Sequence, residues 1–123
     1  MATILVVDDE FGVAEVLQAI LSDAGHRVVI AINGRQGLEM LAREAPALVF
    51  LDFMMPILDG AGMLGAMAAD PATAAIPVIL MSSLPEATVS ERARGYAAFL
   101  RKPFRVQAIL EAAEAALGGA DRR

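Results

Sequence analysis

The chain of 123 residues is long enough for one domain with a single substantial core, and its composition excludes several classes of function. The formal net charge of −5 argues against direct nucleic-acid binding, which requires a basic surface. Because the sequence contains no cysteine, disulfides, thiol catalysis and cysteine-ligated metals are excluded. No apolar stretch is long enough to cross a membrane, and Asp8 interrupts the first apolar run too early for a signal peptide, so we expect a cytoplasmic protein without membrane insertion.

Short apolar runs alternate with segments of helical periodicity from the N-terminus onward. The apolar runs predict five buried strands, namely TILVVD (3–8), RVVIA (27–31), ALVFLD (47–52), PVILMS (77–82) and AAFLRK (97–102). The first helix ends at Gly25, and its apolar face contains Val13, Val16, Leu17, Ile20, Leu21 and Ala24. Further helices are expected around 35–44, 61–69 and 86–94, and a last one buries Val106 and ends before Gly118.

The alternation of these elements predicts the class of fold. Strands that alternate with helices through short connections specify an open, doubly wound α/β sheet of parallel strands. Such a sheet is covered on both faces, which agrees with the nearly continuous apolar sequences of the strands. We expect one domain over residues 1–119, with residues 120–123 as a flexible tail.

Charged or hydroxyl side chains stand at the carboxyl ends of four of the five predicted strands. They are Asp8 and Asp9 after the first strand, Asp52 after the third, Ser82 and Ser83 after the fourth and Lys102 after the fifth. One such residue by itself is explained by solvation of a strand end or by helix capping. Ligands of open parallel sheets, however, bind outside the carboxyl ends of the strands, so this whole set, with both charges represented, predicts a functional site.

The residue types of this set suit phosphoryl transfer. Three converging carboxylates repel one another unless a cation is present, and hard oxygen ligands suit Mg²⁺. One aspartate could then act as the nucleophile that forms an acyl phosphate. The ammonium of Lys102, the only lysine in the chain, and the hydroxyl of Ser82 could stabilise oxygens of the transferred group.

The same motifs resemble the receiver domain of two-component response regulators, in particular single-domain, chemotaxis-regulator-like receivers. VVDDE, LVFLDFMMPILDG, PVILMSS and RKPF occur in the order and spacing of that family, and the resemblance covers residues 2–117. It implies a flavodoxin-like fold with five parallel strands in the order 2-1-3-4-5 and five helices. It also implies a phosphorylation-activated signalling switch that is not an enzyme, apart from its own phosphorylation and slow dephosphorylation.

The resemblance implies a role for each acidic residue of the set. Asp52 corresponds to the phosphoacceptor and to a ligand of the Mg²⁺ cofactor. Asp9 corresponds to the direct metal ligand, and Asp8 to the acid that orients a metal-bound water. Met54 corresponds to the residue whose backbone carbonyl binds the metal, and Lys102 to the cation that pairs with Asp52 and then with its phosphoryl group.

Two residues correspond to the family's switch. Ser82 matches the hydroxyl that turns toward the phosphoryl group, and Phe99 matches the aromatic residue that changes rotamer with it. Pro103 implies a cis peptide bond after Lys102.

Neighbouring residues are expected to have structural roles. Pro56 shapes the loop after the acceptor, and Gly60 belongs to a turn in the same loop. Glu10 is expected as an acid at the start of the first helix, where the helix dipole favours it, and not as a ligand.

Two apolar side chains bear on the lifetime of the phosphoryl group. Met54 and Leu84 stand two residues after Asp52 and Ser82, at positions that flank the path of hydrolytic water in receivers. Neither side chain can orient that water, so the acyl phosphate is expected to persist.

The resemblance also implies partners. A sensor histidine kinase or a histidine phosphotransfer protein would supply the phosphoryl group. Phe11, Gly12 and Val16 are candidates for docking this donor, although core packing explains Val16 at least as well. The face formed by the fourth helix, the fifth strand and the fifth helix is expected to bind a downstream protein. Because the sequence shows no DNA-binding or catalytic domain, we expect output through that partner or through a phosphorelay.

Three other interpretations are weighed against this one. A Mg²⁺-dependent phosphohydrolase of the haloacid dehalogenase type has its aspartate nucleophile after the first strand and a second acid two residues later, whereas Asp52 follows the third strand and is followed by Met54 at that spacing. A flavodoxin-like cofactor protein would share the fold, but DDEFG would repel a bare phosphate. A phosphorylation-independent interaction module is disfavoured by the complete set of acceptor residues.

Overall fold

The structure is a computed structural model that describes residues 1–121. Five strands and five helices alternate along these residues, namely β1 (Thr3–Val7), α1 (Phe11–Asp23), β2 (Arg27–Ala31), α2 (Gly34–Glu44), β3 (Leu48–Asp52), α3 (Gly60–Ala69), β4 (Val78–Ser82), α4 (Glu86–Val89), β5 (Ala98–Arg101) and α5 (Val106–Asp121). All neighbouring strands pair in parallel, in the order β2-β1-β3-β4-β5. The predicted fold class and strand order are therefore confirmed.

Helices cover both faces of the sheet and form two cores. Successive side chains of a strand point to opposite faces, so Leu5 and Val7 join α2 and α3 in one core. Ile4 and Val6 join α1 and α5 in the other. The central strands β1, β3 and β4 are buried on both faces, which explains why their sequences are continuously apolar.

Three apolar residues that were predicted to be buried are exposed. Val16 in α1 is 54% exposed, Val106 in α5 is 55% exposed, and Ala24 at the end of α1 is exposed as well. The positions that α1 does bury are Ala14, Leu17 and Leu21, which form a narrower stripe than the run of apolar residues. Val13 and Ile20 are partly buried beside this stripe, whereas Val16 lies on the surface of the helix.

Helix α4 is shorter than the predicted segment 86–94 and covers Glu86–Val89. After it, the guanidinium carbon of Arg92 lies 5.4 Å from the centre of the Phe53 ring, and a guanidinium nitrogen lies 3.6 Å from a carboxylate oxygen of Asp59. These tertiary contacts hold the segment in turns and override its weak helical periodicity.

Helix α5 is longer than predicted and continues to Asp121, past the expected end before Gly118. Of the predicted flexible tail, residues 122–123 lie outside the described residues. Among the helices that the structure describes, none combines the length and the apolar character needed to cross a membrane.

The loop between β3 and α3 packs tightly against the end of β3. The backbone N–H of Gly60 donates a hydrogen bond of 2.9 Å to the carbonyl oxygen of Phe53, and a Cβ added at Gly60 would lie 2.6 Å from the backbone oxygen of Asp52. Asp59 caps α3 with its carboxylate. Pro56 is exposed, and its carbonyl accepts a hydrogen bond within the loop. The absence of a side chain at Gly60 therefore allows the loop to pack directly against the end of β3.

We expect Gly60→Ala to lower the free energy of unfolding by about 1–3 kcal/mol, because the new methyl group meets fixed backbone. Gly65→Ala is the matched control in the same helix, since its added Cβ would meet no atom within 4 Å apart from its chain neighbours and the nearby backbone of its own helix. That change should raise the free energy of unfolding by about 0.5–1 kcal/mol through helix propensity. Urea denaturation measures both, and an equal effect of the two substitutions would contradict the close approach at Gly60.

Candidate functional site

Four strand ends bring polar side chains to one edge of the sheet. Asp8 directly follows β1, Asp52 and Ser82 end β3 and β4, and Lys102 directly follows β5. Asp52, Ser82 and Lys102 line an open cavity of about 550 Å³ at this edge. The strands are parallel, so residues far apart in the sequence meet at their carboxyl ends.

Three carboxylates form the acidic part of the site. Asp8 and Asp52 are buried and Asp9 is exposed, and carboxylate oxygens of the three lie within 4.8 Å of one another. The backbone N–H of Glu10 donates a hydrogen bond of 2.9 Å to Asp8. Met54, the predicted carbonyl ligand, lines the cavity. Closely spaced, hard oxygen donors of this kind fit Mg²⁺.

The ammonium of Lys102 faces three carboxylates at once. Its Nζ lies 2.9 Å from an oxygen of Asp8, 3.0 Å from an oxygen of Glu10 and 3.2 Å from an oxygen of Asp52. Only 14% of the lysine side chain is exposed, so these interactions form in a poorly hydrated environment. One cation is thus shared among three acids.

The backbone after β5 directs this lysine into the site. The N–H of Lys102 donates a hydrogen bond of 2.8 Å to the carbonyl oxygen of Ser82, which extends the pairing of β4 with β5 by one residue. The peptide bond between Lys102 and Pro103 is cis, as the resemblance implied.

Glu10 is a member of this cluster that the sequence interpretation missed. It occupies the N-cap position of α1 but makes no side-chain hydrogen bond to the helix. Its carboxylate instead accepts a hydrogen bond from Lys102. The sequence signal that could have revealed it is its place in DDE, directly after the two predicted metal-site aspartates.

The site holds more carboxylates than cations, and burial and mutual repulsion disfavour their negative charges. Burial, and after it the charge of Asp8, raise the pKa of Asp52 to about 6, although Lys102 opposes the shift. Burial also raises the pKa of Asp8. Burial by itself would lower the pKa of Lys102, but the hydrogen bond to Asp8 and the charge of Asp52 raise it overall, so the ammonium stays protonated. A further cation would relieve this imbalance.

The two predicted switch residues lie on β4 and β5. Ser82 is 3% exposed, and its hydroxyl oxygen accepts a hydrogen bond of 3.0 Å from the backbone N–H of Leu84. Phe99 is half-buried against the α2/α3 core, with its ring centre 6.3 Å from that of Tyr96. The hydroxyl of Tyr96 donates a hydrogen bond of 2.8 Å to Glu86. In this arrangement the Ser82 hydroxyl is bound to its own loop.

The start of α1 presents an exposed apolar surface beside the cavity. Phe11 is 58% exposed, and Gly12 and Val16 line the cavity. The exposure of Val16 rules out the interpretation as a core residue. Donor docking at this surface stays a prediction.

The sequence matches the family described as the response regulator receiver domain over residues 4–114. The chain belongs to this family. The receiver is similar to Protein PilH of Pseudomonas aeruginosa, with 35% identity over 121 residues that make up 97% of this chain and 100% of PilH. It is also 37% identical to the response regulator Rre1 of Synechocystis over 107 residues, which make up 83% of this chain and 46% of Rre1. The receiver thus matches PilH along its whole length but spans less than half of Rre1.

Solved structures show the same fold. The signal receiver domain of a signal transduction histidine kinase from Syntrophus aciditrophicus has a TM-score of 0.92 and 28% identity, with 100% of this chain and 95% of that chain covered. The chemotaxis response regulator CheY4 of Vibrio cholerae has a TM-score of 0.87 and 26% identity, with coverage of 95% and 99%. Both are similar to this receiver over nearly their whole length.

We expect the raised pKa of Asp52 to make the metal-free receiver less stable as the pH rises. The folded protein keeps this proton up to about pH 6, whereas the unfolded chain loses it near 3.8. The protonated acid stabilises the fold fully below pH 3.8, and this contribution is lost as the pH rises through about 6. Relative to wild type, Asp52→Asn should therefore gain about 2–3 kcal/mol of unfolding free energy across this window.

Urea denaturation in the presence of a metal chelator, at a series of pH values, measures this difference. Asp23→Asn is the control, because Asp23 is an exposed aspartate at the end of α1. A constant difference between Asp52→Asn and wild type across the window would contradict the shift.

Proposed function

We propose that this receiver is a phosphorylation-activated switch of a two-component system that acts in the cytoplasm. A sensor histidine kinase or a histidine phosphotransfer protein would transfer a phosphoryl group to Asp52. The observation that carries the proposal is the buried Asp52 carboxylate, which lies in an open cavity, 3.2 Å from the Lys102 ammonium and beside two further aspartates. A nucleophile, a cation and oxygen ligands in one cavity are the parts that phosphoryl transfer requires.

In the transfer, a carboxylate oxygen of Asp52 attacks the phosphorus of a phosphohistidine on the donor. The new O–P bond forms while the P–N bond breaks, and the imidazole leaves with the electron pair of that bond and takes a proton from solvent. When bound, Mg²⁺ neutralises charge on the phosphoryl oxygens. Its proposed ligands are Asp8, Asp9, Asp52 and the backbone carbonyl of Met54.

Two other side chains would stabilise the aspartyl phosphate. The ammonium of Lys102 is already within reach of Asp52 and can follow the added negative charge, because a lysine side chain is flexible. The hydroxyl of Ser82 has a proton to donate to a phosphoryl oxygen, since in the present arrangement it serves as an acceptor for the N–H of Leu84. A turn of Ser82 toward the phosphoryl group would give up that acceptor bond.

The loss of this bond would pass the signal to the surface around α4. The loop between β4 and α4 would be released from Ser82 and could shift together with Phe99. The proposed output surface consists of α4, β5 and α5. A downstream partner protein, or the next component of a phosphorelay, would bind the rearranged surface.

The position of the nucleophile disfavours a phosphohydrolase. Asp52 ends β3, and the residue at the general-acid spacing of the haloacid dehalogenase type is Met54, whose side chain holds no proton to donate. A phosphorylation-independent interaction module would have no need for a buried nucleophile paired with a lysine. Each alternative nevertheless predicts a distinct result, either in the following experiment or in an assay of phosphate-ester hydrolysis.

Beryllofluoride, a mimic of a bound phosphoryl group, tests the switch in the presence of Mg²⁺. We expect saturable changes in the amide NMR spectrum of the wild type around Ser82, Phe99 and the surface of α4, because charge on Asp52 draws Lys102 and Ser82 toward it. Asp52→Asn should show none of these changes, while Asp23→Asn should retain them. No response in the wild type would support the interaction module, and steady hydrolysis of phosphate esters would support the phosphohydrolase.

Met54→Asn should shorten the lifetime of the aspartyl phosphate, on the order of tenfold, because an amide in the cavity can orient the attacking water. We expect this effect from Met54 rather than from Leu84, since Met54 lines the cavity while Leu84 packs against the α2/α3 core. Loss of radiolabelled phosphoryl group from the purified receiver gives the lifetime. Met54→Leu is the control, and a lifetime that is the same in all three proteins would contradict the expectation.

A further inference from the structure

Glu10 is fixed at the mouth of the phosphoryl cavity, although the proposed transfer chemistry gives it no part. Its carboxylate accepts a hydrogen bond of 3.0 Å from Lys102, and its backbone N–H donates one of 2.9 Å to Asp8. Its side chain is 64% exposed, whereas those of the other two acids on the lysine, Asp8 and Asp52, are 0% and 7% exposed. Glu10 is therefore the partner that draws the ammonium toward solvent.

Glu10 is one of few charged residues that line the cavity. The charged residues that line it are Glu10, Asp52 and Lys102. The remaining lining residues are Gly12, Val13, Val16, Met54, Ser82, Ser83, Pro103 and Phe104, which carry no charge. An anion that enters the cavity therefore meets the Glu10 carboxylate near the opening and the ammonium of Lys102 further inside.

We propose that Glu10 is a positioning residue that holds the ammonium of Lys102 toward the mouth of the cavity and competes for it with a phosphoryl group on Asp52. The inference rests on the proposed function of Asp52. In the unphosphorylated receiver, Glu10 shares the lysine with the buried acids. Phosphorylation adds negative charge at Asp52 and draws the ammonium inward, so the ion pair with Glu10 must weaken.

The exposure of Glu10 limits how strongly it competes for Lys102. A largely exposed ion pair is weak, because water screens it. Removing the charge of Glu10 should therefore change the affinity for a phosphoryl mimic by about twofold to fivefold and should not abolish binding. We expect the affinity to rise for two reasons. The ammonium of Lys102 no longer pairs with Glu10, and the Glu10 carboxylate no longer repels an anion at the opening.

Glu10→Gln tests the proposal, because it removes the charge while it keeps the size of the side chain. Glu15→Gln is the matched control: Glu15 is also exposed and lies on α1, and the net charge of the protein changes equally. We expect Glu10→Gln to bind beryllofluoride about twofold to fivefold more tightly than wild type at saturating Mg²⁺. The control should bind it as wild type does.

Small phosphodonors provide a second measurement. Acetyl phosphate is more negatively charged than phosphoramidate near neutral pH, so repulsion at the opening should slow its reaction more. Glu10→Gln should therefore raise the rate of phosphorylation by acetyl phosphate more than the rate by phosphoramidate. A substitution that merely disturbed the structure would change both rates alike.

The single lysine of the chain allows direct observation of the ion pair without metal. In protein labelled with ¹³C at the lysine ε position, one signal reports on Lys102. We expect inequivalent ε protons in the wild type, because the side chain is held, and less inequivalent ones in Glu10→Gln. Glu15→Gln should match the wild type.

The outcomes separate this proposal from the function on which it rests. The proposal is overturned if Glu10→Gln and Glu15→Gln give the same lysine signal and the same beryllofluoride affinity. A wild type that neither binds beryllofluoride nor accepts a phosphoryl group would contradict the proposed function instead. In that case the metal-free lysine signal would still show whether Glu10 holds Lys102.

Discussion

Lys102 provides the positive charge that allows two buried aspartates to lie side by side at the edge of the sheet. Buried carboxylates lose hydration and repel each other, and both effects favour their protonated forms. The ammonium, within 3.2 Å of Asp8 and Asp52, offsets part of this cost. It does not offset all of it, since the pKa of Asp52 is still raised to about 6. The repulsion that remains between the acids lowers the stability of the free receiver, and added positive charge at the site would relieve it.

The sheet is the reason that this charge collects in one place. β1, β3 and β4 are buried on both faces, so their polar residues are found where the strands end. The parallel arrangement brings these ends to the same edge. Gly60 then allows the following loop to pack directly against the backbone of Asp52. The apolar core and the acidic site are therefore two results of one topology.

The sequence predicted the strands and the residues at their ends well, because a run such as LVFLD has few other ways to bury its side chains. It failed where tertiary contacts decide the outcome. The predicted helix 86–94 ends early at Val89, and Arg92 beyond it contacts Phe53 on a distant segment. The role of Glu10 depends on Lys102, which lies 92 residues further along the chain. Local periodicity and helix-dipole arguments carry no information about either partner.

The short α4 has a consequence for the energetics of the molecule. The segment from α4 to β5 is held by two side chains in the α2/α3 core, Val89 and Ala93, and otherwise by the hydrogen bond between Tyr96 and Glu86 and by the contacts of Arg92 at the surface. Interactions at the surface each contribute about 1 kcal/mol or less. Local unfolding of this segment exposes few buried side chains, whereas opening of the sheet exposes both cores, so we expect it to require less free energy. We therefore expect the backbone amides of this segment to exchange their hydrogens faster than those of the central strands.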